Sequence, residues 1–335
     1  QDCELLGLSD LNTESDTVRA RTARYLIELA RLGVRGFRID AAKHILPSSL
    51  DAIIGRMNAT LAQEGRPLPY VFHEVIDYGG EAVRATDYLG VGYASNSGSD
   101  ISEFKFRGVQ DKFLRAGGTQ RVGELAQFSE SRWGLLPTDK AVVFLENHDT
   151  ARDGTGNLSY RSPQLWRLAQ VWILGQAYGY PSILSGYAFS RPGGRDLGPP
   201  SDGSGNTRPV ACPASIDQAA PDGWVCEHRD PVVRTMVAFR RTVAGTDTRL
   251  LWDDGAMATA YSRGDRGFVA VNANATQLDR TIPTALPPGR YCDVLTGGRT
   301  GTTCAGTVVT IDAAGTATVQ LAPLTALAIH SGTRL

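Results

Sequence analysis

The feature that most restricts the fold of this chain is an alternation of helical and strand-like patterns, which continues up to about residue 245. Residues 17–32 have a helical period, and their apolar face is formed by Val18, Tyr25, Leu29 and Leu32. Gly33 can end this helix, and the apolar strand pattern of residues 34–40 follows at once. A helix followed directly by a buried strand is one step of an α/β fold.

Later segments repeat this step. Strand patterns occur at residues 70–75, 101–106, 141–146 and 182–187. Helical patterns occur at residues 47–64, 118–128 and 162–178. Strands that alternate with helices predict a parallel sheet covered by helices.

The pattern changes after residue 246. Short strand-like runs such as GFVAVNA, TVVTI and ALAIH are now separated by Gly, Pro, Asn and Asp. Runs of this kind predict a small antiparallel β domain of Greek-key or sandwich type. The sequence therefore predicts an α/β domain over residues 1–245 and an all-β domain over residues 246–335.

Composition and charge exclude several classes of protein. Of the 335 residues, 42% are hydrophobic and 21% are charged, which is typical of a folded globular protein. The formal net charge is -1 and the arginines form no basic run, so neither nucleic acid nor an anionic membrane surface is an expected partner. No apolar stretch approaches the roughly 18 residues that a transmembrane helix needs.

The cysteines favour an exported protein. Two locally spaced pairs lie in loop-rich sequence: Cys212 with Cys226, and Cys292 with Cys304. Pairs of this kind suit disulfides in a secreted, extracellular protein better than a metal site, because no close CxxC spacing occurs. Cys3 is left without a partner.

Carboxylates follow three of the predicted strands. GFRID ends in Asp40, VFHEV carries Glu74, and FLENHD closes with His148 and Asp149. In a parallel α/β barrel the carboxyl ends of several strands form one mouth, so these groups are expected to converge there. For any one of them, the alternative is a cap or turn residue at the end of a strand.

The neighbours of two carboxylates suggest different protonation states and therefore different chemical roles. Arg38 shares a strand face with Asp40, and its positive charge favours an ionised nucleophile; the alternative is a structural ion pair inside a barrel. Glu74 shares its face with Tyr70 and Phe72, and apolar surroundings favour the protonated form that a general acid needs. One charged and one protonated carboxyl group is the arrangement that retaining glycoside hydrolysis requires.

Three of these segments, GFRIDAAKH, FHEVID and FLENHD, resemble signature segments of the α-amylase family, glycoside hydrolase family thirteen, in the order that this family has them. LGLSDL is similar to a further short segment of the family, and WVCEHR and RYCDVL resemble the later part of its animal and actinobacterial members. The resemblance implies a (β/α)8 barrel followed by a Greek-key β-sandwich. It also implies endo-acting, retaining hydrolysis of α-1,4-glucosidic bonds in starch and related glucans.

The resemblance assigns roles to individual residues. It implies that the nucleophile is Asp40, the acid/base is Glu74 and the carboxylate that stabilises the transition state is Asp149. Arg38 and His148 would support these groups. Substrate contacts at the +1 and +2 side of the cleft are expected from Lys43 and His44.

Ion sites are also implied by the resemblance. Asp10 matches a calcium-ligating aspartate, while His44 and Gln1 match positions that offer main-chain carbonyls to the same ion. Oxygen ligands are those that calcium prefers. Arg38 and Asn147 match two chloride ligands, but Ser182 stands where a basic third ligand is found in animal amylases, so chloride is expected to matter little.

Two alternative functions remain open, together with an expectation about length. An α-glucan transglycosylase would use the same carboxylates, and a non-catalytic glucan-binding relative would need none of them. In the family the strand that bears the nucleophile is the fourth, whereas here it is the first. We therefore expect strands four to eight in this chain, a monomer once an amino-terminal portion is present, and Cys3 free or bonded outside the chain.

Overall fold

A computed structural model describes residues 7–93, 98–114, 119–152, 157–188 and 198–335. The chain forms two compact units. The first unit contains the described residues of Gln1–Phe106, Glu130–Val143 and Tyr178–Tyr180, and the second contains those of Arg107–Ser129, Phe144–Ala177 and Pro181–Leu335. Gln1 and Cys3 lie outside the described residues. The domain boundary between residues 245 and 246 stays a prediction.

A parallel sheet forms the centre of the first unit. Its strands are β1 (Gly36–Ile39), β2 (Tyr70–His73), β3 (Ser99–Ser102) and β4 (Ala141–Val143), and β5 (Tyr180–Pro181) is the fifth in the order β1-β2-β3-β4-β5. The pairs β1–β2, β2–β3 and β3–β4 are all parallel. The predicted parallel sheet is thus confirmed.

Two helices of the first unit, α1 (Asp16–Arg31) and α2 (Pro47–Gln63), pack against each other. The buried face of α1 consists of Ala23, Leu26, Ile27 and Ala30. The face predicted for this helix is wrong, because Tyr25 is 63% exposed and Leu32 is 85% exposed. The buried set has the spacing i, i+3, i+4, i+7, and its two alanines allow a neighbouring element to approach closely.

Three other predicted elements differ from the structure. The strand expected at residues 101–106 ends at Ser102, and Phe104–Phe106 is a 3₁₀ turn. The helix expected at residues 118–128 is a 3₁₀ segment, Val122–Gln127, while α3 (Arg107–Leu114) was not predicted.

The strand predicted at residues 182–187 is also wrong, because β5 ends at Pro181. Hydrogen bonds from this region go to a later loop instead of a sheet. The main-chain N–H of Gly186 donates to the Glu227 carboxyl, and the N–H of Val225 donates to the Gly186 carbonyl.

The second unit contains helices α4 (Pro163–Gly175) and α5 (Pro231–Thr242), which pack against each other, and two antiparallel sheets. One sheet has the order β15-β8-β7-β6, with β6 (Thr248–Asp253), β7 (Ala258–Arg263), β8 (Gly267–Asn272) and β15 (Thr325–His330). The other has the order β10-β13-β14-β9, with β9 (Leu278–Pro283), β10 (Gly289–Cys292), β13 (Val308–Ile311) and β14 (Thr316–Leu321). A hairpin joins β11 (Arg299–Thr300) to β12 (Thr303–Cys304).

Side chains of both sheets form one apolar core. Its members include Ala260, Phe268, Ile282, Tyr291, Val319 and Ile329. Two antiparallel sheets that share a core form a β-sandwich, so the all-β prediction is confirmed. The predicted disulfides are present too, and join Cys212 to Cys226 and Cys292 to Cys304.

Trp166 and Trp172 of α4 are fully buried. Among the described residues, no helix is both long and apolar enough to cross a membrane.

Candidate active site

One arginine joins two of the predicted carboxylates in the first unit. The register of β1 and β2 places Arg38 opposite Phe72, so that the ends of these strands lie side by side. Arg38 Nη1 is 2.5 Å from Asp40 Oδ1, and Arg38 Nη2 donates a hydrogen bond to Glu74 Oε1. A single guanidinium therefore bridges Asp40, which is 73% exposed, and Glu74, which is 7% exposed.

The surroundings of Glu74 are not the apolar pocket that its sequence neighbours predict. One carboxyl oxygen accepts from Arg38, and the other accepts from the main-chain N–H of Ala41 at 2.9 Å. Phe72 and Tyr70 do not determine the environment of the Glu74 carboxyl group. Its hydrogen-bond donors come from the end of β1, and the sequence of β2 does not reveal them. The carboxyl group is thus buried, and each of its oxygens accepts a hydrogen bond.

The turn after Asp40 carries the two predicted substrate contacts. Ala41 has a left-handed backbone with φ 47°, and a 3₁₀ turn covers Ala42–His44. Lys43 Nζ donates to the carbonyl of Ile76 at 2.7 Å and lies 3.8 Å from a Glu81 carboxyl oxygen. An ammonium group has three protons, so the bond to Ile76 leaves further donors on Lys43.

Two of the predicted calcium ligands can be tested for their chemistry. Asp10 is exposed, and no described residue forms a hydrogen bond or ion pair with its carboxylate. Likewise, none of the described donors bonds the His44 carbonyl, although the carbonyls on either side of it are engaged. A free carboxylate and a free carbonyl are oxygen donors of the kind that calcium takes, so these two residues fit the ion. Gln1, the third, is outside the described residues.

The third predicted carboxylate belongs to the second unit. Asn147 Oδ1 accepts from the main-chain N–H groups of Asp149 at 3.1 Å and Thr150 at 2.9 Å, which shapes the turn after the strand. His148 Nε2 lies 3.6 Å from Asp149 Oδ2, and both side chains are exposed. The convergence of Asp149 with Asp40 and Glu74 stays a prediction, as does the pairing of Asn147 with Arg38 around chloride.

Two buried glutamates near this turn were not predicted. Glu146 Oε1 accepts from Trp166 Nε1 at 2.7 Å, while Oε2 has no hydrogen-bond partner among the described residues. Burial, with a smaller contribution from the nearby Glu227 carboxyl, raises the pKa of Glu146 to about 8. Burial also raises the pKa of Glu227, which with His148 lines a cavity of about 70 Å³. The available signal was a charged residue inside an apolar run, FLENHD.

His73, which directly precedes Glu74, also escaped the sequence analysis. It is fully buried, and neither ring nitrogen has a hydrogen-bond partner among the described residues. Burial lowers the pKa of His73 from 6.5 to about 4.

The low pKa of His73 predicts a loss of stability in acid. The unfolded chain takes up a proton as the pH falls below about 6.5, whereas the folded chain does not until about pH 4. The free energy of unfolding should therefore be about 2 kcal/mol lower at pH 5 than at pH 7, because protons bind preferentially to the unfolded chain in this range. Urea unfolding at both pH values should show this loss in wild type and in the control His228→Gln, but not in His73→Gln. An equal loss in all three proteins would contradict the assignment.

Comparison with known proteins identifies a matching family model and two relatives of this chain. Residues 252–332 match the family model described as the α-amylase C-terminal all-beta domain. An α-amylase of Oryzias latipes is 37% identical over 329 residues, and a pancreatic α-amylase of Sus scrofa is 35% identical over 351 residues. These alignments cover 95% and 100% of this chain, and the chain spans 62% and 66% of the length of those relatives.

A solved structure agrees with the sequence relatives. The crystal structure of an α-amylase I variant and maltohexaose complex from Eisenia fetida superposes with a TM-score of 0.86 at 33% identity, covering 98% of this chain and 68% of the other. The five-stranded parallel sheet and the following β-sandwich therefore represent part of a TIM barrel with its C-terminal β domain. The chain belongs to the α-amylase family, glycoside hydrolase family thirteen.

Proposed function

We propose that the protein is an endo-acting, retaining α-amylase that hydrolyses α-1,4-glucosidic bonds in starch, glycogen and maltooligosaccharides. The observation that carries this proposal is the bridging of Asp40 and Glu74 by Arg38 at adjacent strand ends. One guanidinium can contact both carboxyl groups only if they are close, which is compatible with the separation of about 5–5.5 Å that retaining enzymes use. The maltohexaose complex of the Eisenia fetida relative supports a glucan substrate.

In the proposed reaction, the Asp40 carboxylate attacks the anomeric carbon while Glu74 gives its proton to the departing glycosidic oxygen. The bond between carbon and that oxygen breaks, and a glycosyl ester of Asp40 forms. Glu74, now ionised, removes a proton from water, and the resulting attack releases the sugar and restores both carboxyl groups. Two inversions at the same carbon give net retention.

Other residues are assigned supporting roles in this proposal. The exposure of Asp40 suits a group that must reach substrate, and Arg38 holds its carboxylate. Asp149 would stabilise positive charge in the transition state, with His148 on a sugar hydroxyl. Lys43 and His44 would contact the sugars on the leaving-group side.

Product analysis tests the reaction class directly. Soluble starch is incubated with the protein, and the anomeric configuration and length of the first products are followed by NMR. We expect α-configured maltooligosaccharides of mixed length, because an endo-acting retaining enzyme cuts internal bonds. In a parallel incubation with a single maltooligosaccharide, products longer than that substrate would indicate a transglycosylase instead. The lack of any product from either substrate would favour a non-catalytic glucan-binding relative.

We further propose a calcium ion held by Asp10 and by the carbonyls of His44 and Gln1, with little contribution from chloride. In chloride-dependent relatives an additional basic ligand is expected where this chain has Ser182. Both guanidinium Nη atoms of Arg38 are already engaged with carboxylates, which also disfavours a strong anion site. The proposal also includes secretion, which the two disulfides support, and a monomeric state once an amino-terminal portion is present.

Removal of calcium should lower the melting temperature. An ion present at about 100 times its Kd adds about 2.7 kcal/mol of stability, which corresponds to roughly 5 °C or more. We expect EDTA to cause a decrease of this size in wild type, and calcium but not magnesium to reverse it. Asp10→Asn should melt lower than wild type without EDTA and respond less to the chelator. An identical response of wild type and Asp10→Asn would remove Asp10 from the site.

A further inference from the structure

The hydroxyl group of Tyr88 lies between two main-chain carbonyls of the turn that follows Asp40. Tyr88 Oη is 2.9 Å from the Ile45 carbonyl oxygen and 3.1 Å from the Lys43 carbonyl oxygen. The phenol has a single proton, so the two carbonyls share it. Because the Tyr88 side chain is fully buried, water cannot readily replace this bond.

The turn that Tyr88 holds is connected to both carboxylates bridged by Arg38. It begins directly after Asp40, where Ala41 has φ 47°. A left-handed alanine costs free energy that the surrounding structure must supply. The main-chain N–H of Ala41 also donates to Glu74 Oε2 at 2.9 Å. A shift of this turn would therefore move the backbone of Asp40 and one donor of Glu74 together.

The segment that bears Tyr88 is itself anchored. The buried Asp77 carboxylate accepts from Gly79 N–H at 2.8 Å and from Ala85 N–H at 3.0 Å, which fixes the start of the 3₁₀ turn Ala85–Tyr88. A second bond runs from the turn after β1 to the loop after β2, because Lys43 Nζ donates to the Ile76 carbonyl. The turn after β1 and the loop after β2 are thus tied to each other at two points.

We propose that Tyr88 is a positioning residue for Asp40 and Glu74. Its hydroxyl fixes the turn after β1 against the loop after β2, and so sets the relative placement of the nucleophile and the acid/base. This inference rests on the proposed function. Tyr88 acts through the main chain of residues 43 to 45, because the carbonyls of Lys43 and Ile45 accept from its hydroxyl.

The test compares Tyr88→Phe with Tyr291→Phe. Both changes remove one hydroxyl from a fully buried tyrosine that bonds a main-chain carbonyl, and Tyr291 bonds Pro287 at 2.8 Å within the β-sandwich. For Tyr88→Phe we expect kcat on a maltooligosaccharide to fall about tenfold, with KM within about twofold of wild type. The reason is that loss of the hydrogen bond displaces the reacting groups without removing a contact to the substrate. Tyr291→Phe should leave both constants unchanged.

A second measurement does not depend on turnover. The N–H groups of His44 and Ile45 are hydrogen-bonded within the turn at 2.9 Å, and their hydrogen exchange should accelerate in Tyr88→Phe alone. Unchanged kcat, or equal kcat losses in both variants, would overturn the inference. If wild type turns over no glucan, the proposed function is wrong. Hydrogen exchange then still tests the role of Tyr88 in fixing the turn: faster exchange in Tyr88→Phe alone supports that role, and unchanged exchange contradicts it.

Discussion

Asp40→Asn is expected to reduce turnover of soluble starch by at least about a thousandfold, because an amide cannot form the glycosyl ester that starts the proposed reaction. The change keeps the size and shape of the side chain. Binding of maltooligosaccharide should persist, since the residue acts on the anomeric carbon and the other substrate contacts remain. Initial rates of reducing-end formation, with binding measured by calorimetry, separate the two effects.

The stability of this variant needs a matched control, because Asp40 also forms an ion pair with Arg38. Asp247 offers one: it pairs with Arg249 at 2.7 Å, two residues away in sequence, and is similarly exposed. Exposed pairs of this kind contribute about 0–1 kcal/mol. We therefore expect Asp40→Asn and Asp247→Asn to melt close to wild type, with activity lost only in the former. Comparable starch activity of Asp40→Asn and wild type would exclude this mechanism.

Local patterns predicted much of the site because they depend on backbone geometry. The two-residue period of a strand placed Arg38 on the face of Asp40, and the structure has their side chains in contact. Strand ends that neighbour each other in a parallel sheet brought Glu74 to the same arginine. These relations follow from pairing rules that hold for any sequence.

Features created by neighbouring elements could not be predicted in this way. The donors on Glu74 come from Arg38 and Ala41 of a different strand end, so the residues beside Glu74 in sequence did not reveal them. The same is true of Tyr88, whose carbonyl partners lie more than forty positions earlier. Such contacts depend on how loops fold back after the strands are in place.

The failed element predictions have a similar cause. Residues 182–187 have an apolar strand pattern, but the main chain of Gly186 is hydrogen-bonded to a later loop. Its N–H donates to the Glu227 carboxyl group, and its carbonyl accepts from the N–H of Val225. In α1, the predicted face included Tyr25 and Leu32, whereas the buried face consists of Ala23, Leu26, Ile27 and Ala30. Periodicity identified the helix correctly, yet the choice of face depends on the shape of its partner.

Glu74→Gln should separate the two halves of the proposed reaction. Starch has a poor leaving group that needs a proton, so its hydrolysis should fall by about 10²–10⁴-fold. A dinitrophenyl maltooligosaccharide has a leaving group that departs without protonation, so its bond to carbon should still break. Because the variant lacks the base that activates water, the ester on Asp40 should accumulate. Stopped-flow absorbance should then show a burst of about one dinitrophenolate per protein molecule.

Azide distinguishes this assignment from a general loss of structure. As an anionic nucleophile it needs no base, so it should restore steady turnover of the dinitrophenyl substrate by Glu74→Gln and yield a glycosyl azide. The matched control is Glu103→Gln, another buried glutamate of the first unit, whose carboxyl accepts from the main-chain N–H groups of Lys105 and Leu136. This control should show neither a burst nor a response to azide, since Glu103 has no proposed part in proton transfer. If Glu74→Gln lost starch and dinitrophenyl activity equally and azide restored neither, Glu74 would not be the acid/base, and the bridge from Arg38 would be a structural ion pair.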